Sequence, residues 1–240
     1  MLQIVLGSRS PRRRDLLSSM FPCDAFTILP PRNSEELGFD DVRSAIGIED
    51  RLKTIVRHKH EDVISQPEFL QLQQSSCSYS PGDVSPSVLA ETKLPPLVVV
   101  ADTTVIATDD NGALQVLGQP TLEYWQDEVQ LWFKKFLSGR THQVWTCFRV
   151  SCGQVHQEQV IRSRVTFVSL TDAQIDWYIS TGESVGKAGG YAIQGYGAAL
   201  VCGVEGSLTN VIGLPLLEVS QSLHLVEAVA GHELRRSKQP

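Results

Sequence analysis

Near its start the chain places a short apolar run, Leu2-Gln3-Ile4-Val5-Leu6, directly before Gly7-Ser8-Arg9-Ser10-Pro11-Arg12-Arg13-Arg14. That order predicts a buried strand, a tight loop and a helix starting at Pro11. Ser10 suits the N-cap and Pro11 the first helical position, because first-turn N–H groups have no partner inside the helix. Leu16 and Leu17 continue the helix on a core-facing side. A helix start attracts anions through its unpaired N–H groups and dipole, and guanidinium groups add strong phosphate contacts. Arginine in the first turn opposes the dipole, so a bound anion would offset the repulsion. The alternative is a solvated basic turn.

The remaining composition narrows the partner. The 240 residues carry a net charge of −6, with 42% hydrophobic and 20% charged residues. An acidic molecule is a poor sequence-blind binder of nucleic acid, which requires a basic face. A local arginine cluster on such a molecule suits a small polyanion. No apolar run approaches a membrane span and nothing reads as a signal peptide, so a cytoplasmic protein with no membrane partner is expected. The five cysteines are odd in number and lack paired spacing, which indicates free thiols. His142, Cys147, Cys152 and His156 fit no zinc-finger or ribbon spacing.

Residues 25–29 read as a second strand and 41–63 as a helix with an apolar stripe of Leu52, Ile55, Val56 and Val63. Lys59 falls near the centre of that stripe, where a lysine either snorkels to the edge or faces a cavity. Residues 65–96 are rich in Gln, Ser and Pro and read as a flexible insertion. Strands resume at 98–107, followed by the turn signal Asn111-Gly112. A helix is expected over 122–137, a hairpin over 143–150 and 155–168, a capped helix after Thr171, and a closing helix over 215–229. Residues 232–240 read as a disordered tail. At 240 residues the chain has room for one large α/β domain or two small ones, and hairpins mixed with helices favour an α/β fold with a mixed sheet over a purely parallel one.

Two further features carry chemistry. Asp102 lies among valines in an expected buried strand and shares a face with Val98, Val100 and Ile106. An unpaired carboxylate there would cost on the order of several kcal/mol, so a cation, a metal or hydrogen-bond donors must meet it. Both a structural and a functional role satisfy that demand. The glycine-rich stretch from Gly186-Lys187-Ala188-Gly189-Gly190 to Gln194-Gly195-Tyr196-Gly197 permits close approach of backbone to a ligand or to another segment. It matches neither a P-loop nor a dinucleotide fingerprint. Lys187 offers charge and Gln194 an amide able to read a base edge; a buried amide that caps loop backbone is the alternative for Gln194.

Taken together, Ser8-Arg9-Ser10-Pro11-Arg12-Arg13, Ala101-Asp102-Thr103, Leu137-Ser138-Gly139-Arg140-Thr141-His142-Gln143-Val144, Lys187 to Gly195 and Val211-Ile212-Gly213-Leu214-Pro215-Leu216 resemble the Maf family. These are nucleoside triphosphate pyrophosphatases related in fold to inosine triphosphatase, and the resemblance implies a single α/β domain over residues 1–240, with a mixed twisted sheet flanked by helices and a central cleft. The resemblance implies hydrolysis of a nucleoside triphosphate to the monophosphate and pyrophosphate with a divalent cation (Mg²⁺, Mn²⁺ or Co²⁺). It also implies Asp102 as general base; Ser8, Ser10, Arg12, Arg13, Lys59 and Lys187 on the triphosphate; and Glu35 with Asp102 on the metal. Arg12, Thr103 and Gln194 resemble the branch acting on dTTP and UTP, whereas the 7-methyl-GTP branch tends to have Trp, Gln and Glu near those places. A homodimer is implied as well.

The chain departs from the pattern at Gln119-Pro120, where Lys-Pro is usual. Arg9, Arg14 and Lys53 are the candidate replacements for the missing cation. Two alternatives stand beside a housecleaning pyrimidine triphosphate pyrophosphatase: a nucleotide-binding regulator of cell division with little turnover, and an inosine-type purine enzyme.

Overall fold

The computed structural model describes residues 3–33, 37–75 and 94–236. In chain order the elements are β1 (Ile4–Gly7), α1 (Pro11–Ser18), β2 (Phe26–Ile28), α2 (Ala45–Ser65), α3 (Pro67–Ser75), β3 (Leu97–Thr108), β4 (Leu114–Leu117) and α4 (Trp125–Trp132). They continue with β5 (Thr141–Cys152), β6 (Val155–Phe167), α5 (Asp172–Ser180), β7 (Val201–Glu205), α6 (Leu208–Ile212) and α7 (Leu216–Arg236). The seven described strands form one mixed sheet in the order β2-β1-β3-β5-β6-β7, with β4 beside the far half of β3. β1 runs parallel to both β2 and β3. The other pairings are antiparallel. This is the α/β architecture expected from alternating hairpins and helices.

Strand β3 is the spine of the molecule. Its odd residues Leu97, Val99 and Ala101 join Leu16 and Leu17 of α1 and Val219, Leu223 and Val226 of α7 in one buried cluster. Its even residues Val98, Val100 and Ile106 pack with Leu52, Val56 and Val63 of α2 in another. A strand with helices on both faces has no solvent-facing side, which is why its sequence is almost continuously apolar. A third cluster fills the space between the far half of the sheet and helices α4 and α5.

One edge of β3 is divided between two partners. β1 pairs with it only as far as Gly7 opposite Val100, and β4 pairs with it only from Val105 onward. Residues 101–104 therefore lie between the carboxyl ends of β1 and β4. Because β1 and β3 are parallel, the notch opens beyond the carboxyl end of β1, where open α/β sheets characteristically bind ligands.

Several boundaries differ from the sequence expectation. The long helix starts at Ala45 rather than 41, because the Ser44 side chain accepts the Gly47 N–H and caps it there. The expected flexible insertion over 65–96 begins instead with the ordered helix α3, whose Phe69 is buried against the α2 cluster. Gln66 anchors that junction by donating to Pro30 O at 3.0 Å and Asp62 Oδ1 at 2.8 Å. A polar composition concealed a few well-placed apolar side chains. The rest of that segment, 76–93, falls outside the described residues, as does 237–240; α7 runs on to Arg236, so 232–236 are helical rather than part of a disordered tail. The fourth helix passes into a π-helical turn over Phe133–Leu137, closed by the Ser138 N–H on Phe133 O at 2.8 Å. Such turns accommodate an extra residue within a helix.

Cys23, Cys147, Cys152 and Cys202 are free thiols. Burial pushes Cys147 up to about 12 and Cys152 up to about 11, so both are packing residues. Two histidines are buried beside hydroxyl groups: His60 against Ser151 Oγ at 2.6 Å and His142 against the Tyr191 hydroxyl at 2.8 Å. Burial lowers His60 to about 4, with help from Arg149 and His156, and lowers His142 to about 3. Between those values and the ordinary histidine range the unfolded chain binds more protons than the folded one. Stability from this source is complete above about pH 6.5 and declines as pH falls, at up to about 1.4 kcal/mol per pH unit per histidine. The urea midpoint is expected to fall between pH 7 and pH 4.5, and His60→Gln to flatten that slope by roughly half of the histidine part. An unchanged slope in the variant would refute the assignment.

Candidate active site

The notch in the sheet is the floor of a cleft of about 980 Å³. Ser8, Ser10, Arg12 and Arg13 line it from the β1–α1 turn, Lys59 from α2, Asp102 and Thr103 from β3, and Lys187 and Gln194 from the glycine-rich segment. The residues expected from sequence to carry phosphate, base and catalysis thus converge on one surface. Glu35 is outside the described residues.

At the floor, Lys59 Nζ donates to Asp102 Oδ1 at 2.5 Å, with both side chains largely buried. The apolar stripe of α2 seats the helix on β3, and Lys59 on that stripe is consequently aimed at the one carboxylate on the facing side of the strand. This resolves the choice for Lys59: it faces the cavity and does not snorkel away. Among the described residues the Asp102 side chain makes no hydrogen bond beyond that to Lys59. Thr104 Oγ1, on the same face of β3, is buried with no partner among the described residues.

The β1–α1 turn is held from inside. Ser10 occupies the N-cap position, but its side chain caps nothing. Instead Ser8 Oγ accepts the Ser10 N–H at 3.2 Å and Arg13 Nη1 at 3.4 Å. Arg13 also donates Nε to Gly213 O at 2.8 Å and Nη2 to Thr103 Oγ1 at 3.0 Å. Thr103 Oγ1 is in turn 2.9 Å from Thr146 Oγ1, whose hydroxyl donates to Asn210 O at 3.1 Å. Arg13 is therefore a clamp joining the first turn, β3 and the loop before α7, and this structural use was not visible in the sequence.

Arg12 is different. It makes no side-chain hydrogen bond among the described residues, and burial, then Arg13, lower its pKa, with Glu183 opposing. Lys187 donates to Val185 O at 3.2 Å and is lowered by burial and by Arg12, again opposed by Glu183. Two partly buried cations, each lowered first by burial and then by a neighbouring arginine, form a site that a polyanion would stabilise. Arg9, also on the cleft wall, is tied to Pro31 O at 2.6 Å and Arg32 O at 3.0 Å. Of the candidate substitutes for a lysine at 119, only Arg9 lines the cleft; Arg14 pairs with Asp15 and Lys53 with Glu49.

The glycines serve packing more than ligand approach. Gly189 and Gly190, both at positive φ, press on Val105 and Val129 so closely that a Cβ would collide. Gly189 N–H also donates to Gly118 O at 3.0 Å, joining this segment to the loop that carries Gln119. Gln194 and Gln119 are both exposed on the cleft wall, and Gln194 makes no side-chain hydrogen bond among the described residues. That removes the reading of Gln194 as a buried amide. Sequence reasoning missed Trp132 and Glu128, one helical turn apart on α4 and both on the cleft. Glu128 accepts from Thr121 N–H at 2.8 Å and from Thr121 Oγ at 2.9 Å, which anchors the loop holding Gln119.

A divalent cation fits this donor set in one manner. Among the described residues no group of three or more His, Cys, Asp or Glu side chains is placed to hold a metal. Asp102 and Asp40 line the cleft. Mg²⁺ typically takes one or two protein carboxylates and completes its shell with substrate phosphates and water. The residues present suit an ion that arrives with a polyphosphate.

Fold and cleft together define a small α/β protein whose cleft sets a group of cationic side chains beside a buried carboxylate. The chain belongs to the Maf family: the Maf-like protein family model matches residues 3–226. It is 35% identical over 226 residues to a dTTP/UTP pyrophosphatase of Moorella thermoacetica, covering 93% of this chain and 94% of that one. It is 33% identical to the dTTP/UTP pyrophosphatase of Pyrococcus furiosus, covering 98% and 99%, and 34% identical to that of Myxococcus xanthus, covering 90% and 88%.

Arg13→Lys preserves the charge but loses the three-way fork, and is expected to lower stability by about 2 kcal/mol. Arg14→Lys, on an exposed position, should stay within about 0.5 kcal/mol. Equal urea midpoints for the two variants would contradict the clamp.

Proposed function

We infer that this protein is a nucleoside triphosphate pyrophosphatase that hydrolyses dTTP and UTP to the monophosphate and pyrophosphate. The observation that carries this reading is the meeting of the buried Asp102–Lys59 pair with the Arg12/Lys187 cation site in one cleft. The dTTP/UTP pyrophosphatases that resemble it over nearly their full length support it.

In the proposed reaction the triphosphate lies across the first-turn arginines. Arg12 and Lys187, with Ser8 and Ser10 beside them, neutralise the charge that accumulates on pyrophosphate as it leaves the α-phosphorus. Asp102 receives the proton of the attacking water, while Lys59 compensates its buried charge and fixes its orientation. Thr103, locked by Arg13 and Thr146, holds the strand register that presents Asp102. Asp102, with Glu35, would hold a divalent cation, which would supply Lewis-acid neutralisation of the phosphates when bound. Gln194 offers a donor and an acceptor to the O4/N3 edge of thymine or uracil, and Arg12 and Thr103 are the other specificity residues in this reading. The proposal extends to a homodimer that works in the cytoplasm.

Pyrophosphate release from a panel of nucleoside triphosphates with Mg²⁺, Mn²⁺ or Co²⁺ tests the reading. dTTP and UTP are expected to lead the panel; preference for inosine triphosphate, or binding with no release from any nucleotide, would overturn it. Asp102→Asn is expected to lower turnover at least ~100-fold while nucleotide binding persists. A variant with the parental rate would exclude Asp102 as the base.

A further inference from the structure

Glu183, between α5 and the glycine-rich segment, is absent from the roles above, yet its carboxylate gathers the hydrogen bonds that hold the stretch around Gln194. Oε1 accepts the Tyr196 N–H at 3.0 Å, and Oε2 accepts the Gly197 N–H at 2.9 Å and the Tyr178 hydroxyl at 2.8 Å. The same Tyr178 oxygen accepts the Ala192 N–H at 3.2 Å. Both flanks of the stretch that carries Gln194 are thereby pinned, Ala192 through Tyr178 and Tyr196-Gly197 through Glu183. All three groups that meet Glu183 are donors. Only an acceptor-only group satisfies them together, since a glutamine would bring its own N–H against one of them. Gly195 closes the arrangement, because a Cβ there would overlap Glu183 Oε1. The charge of the carboxylate also opposes the lowering of both Arg12 and Lys187.

We propose that Glu183 is a positioning residue for base recognition, one that holds the Gln194 segment in place. The inference rests on the pyrophosphatase reading for its substrate, and it makes two effects separable. Loss of the carboxylate frees the loop and should weaken discrimination between bases. The same loss removes a negative charge whose field reaches Arg12 and Lys187, so pyrophosphate binding should tighten. A residue that merely supported the fold would weaken both.

The test compares the parent with Glu183→Gln and Gly195→Ala. The ratio of kcat/KM for dTTP over dCTP reads the base end, and calorimetric binding of pyrophosphate, which needs no turnover, reads the phosphate end. Glu183→Gln is expected to compress the base preference roughly tenfold, the scale of one charge-assisted hydrogen bond, and to tighten pyrophosphate binding severalfold. Gly195→Ala displaces the carboxylate but keeps its charge near, so it should compress the preference with pyrophosphate affinity held within about twofold. An unchanged preference in both variants, or weaker pyrophosphate binding in Glu183→Gln, would overturn the proposal. A parent with no turnover on any nucleotide would defeat the pyrophosphatase reading instead, and pyrophosphate affinity would still decide the charge effect of Glu183.

Discussion

The buried pair of Lys59 and Asp102 is the interaction around which this molecule is arranged. A carboxylate in the middle of an apolar strand is tolerable only if a cation is delivered to it, and delivery requires a helix packed in one register on one face of that strand. The stripe of Leu52, Val56 and Val63 on α2 provides the register, and Val98 and Val100 on β3 receive it. The notch between the carboxyl ends of β1 and β4 exposes the pair to the cleft. Replacing such pairs by apolar residues is often neutral or stabilising, so stability alone does not explain why a fold would retain one.

The rest of the site depends on that placement through a chain of hydrogen bonds. Arg13 fastens the first turn to Thr103, the neighbour of Asp102, and to Gly213 before α7. Thr103 is fastened to Thr146 on β5 and through it to Asn210. A cluster of arginines that reads as a uniform phosphate grip thus divides its labour: Arg13 builds the wall, and Arg12 is left to face the cleft with Lys187. Burial lowers Arg12 and Lys187 first, and a neighbouring arginine lowers each further, Arg13 for Arg12 and Arg12 for Lys187; a polyphosphate would relieve both effects.

Much of this was legible in the sequence because period and parity carry it. Strand alternation put Asp102 on the face of Val98 and Val100, and helical spacing put Lys59 on the α2 stripe; their meeting needed only the packing of α2 on β3. Pro11 and the Thr171 cap marked helix starts correctly; that Gln174 completes a capping box there is seen only in the structure. What stayed hidden was set by contacts distant in the chain. Nothing local distinguishes Arg13 from Arg12, or indicates that Glu183 meets Tyr196 and Gly197. The π-helical turn after Trp132 changes the helix phase, and no periodicity argument anticipates it. The helix α3 was obscured because a Gln-rich composition outweighed the single buried Phe69.

The central claim is that the ion pair exists for chemistry and not for folding, and the double variant Lys59→Met/Asp102→Leu addresses it directly. Pyrophosphate release from dTTP by the folded variant is the measurement. The account predicts a protein at least as resistant to urea as the parent, with no detectable release. A folded double variant that releases pyrophosphate at the parental rate would contradict it.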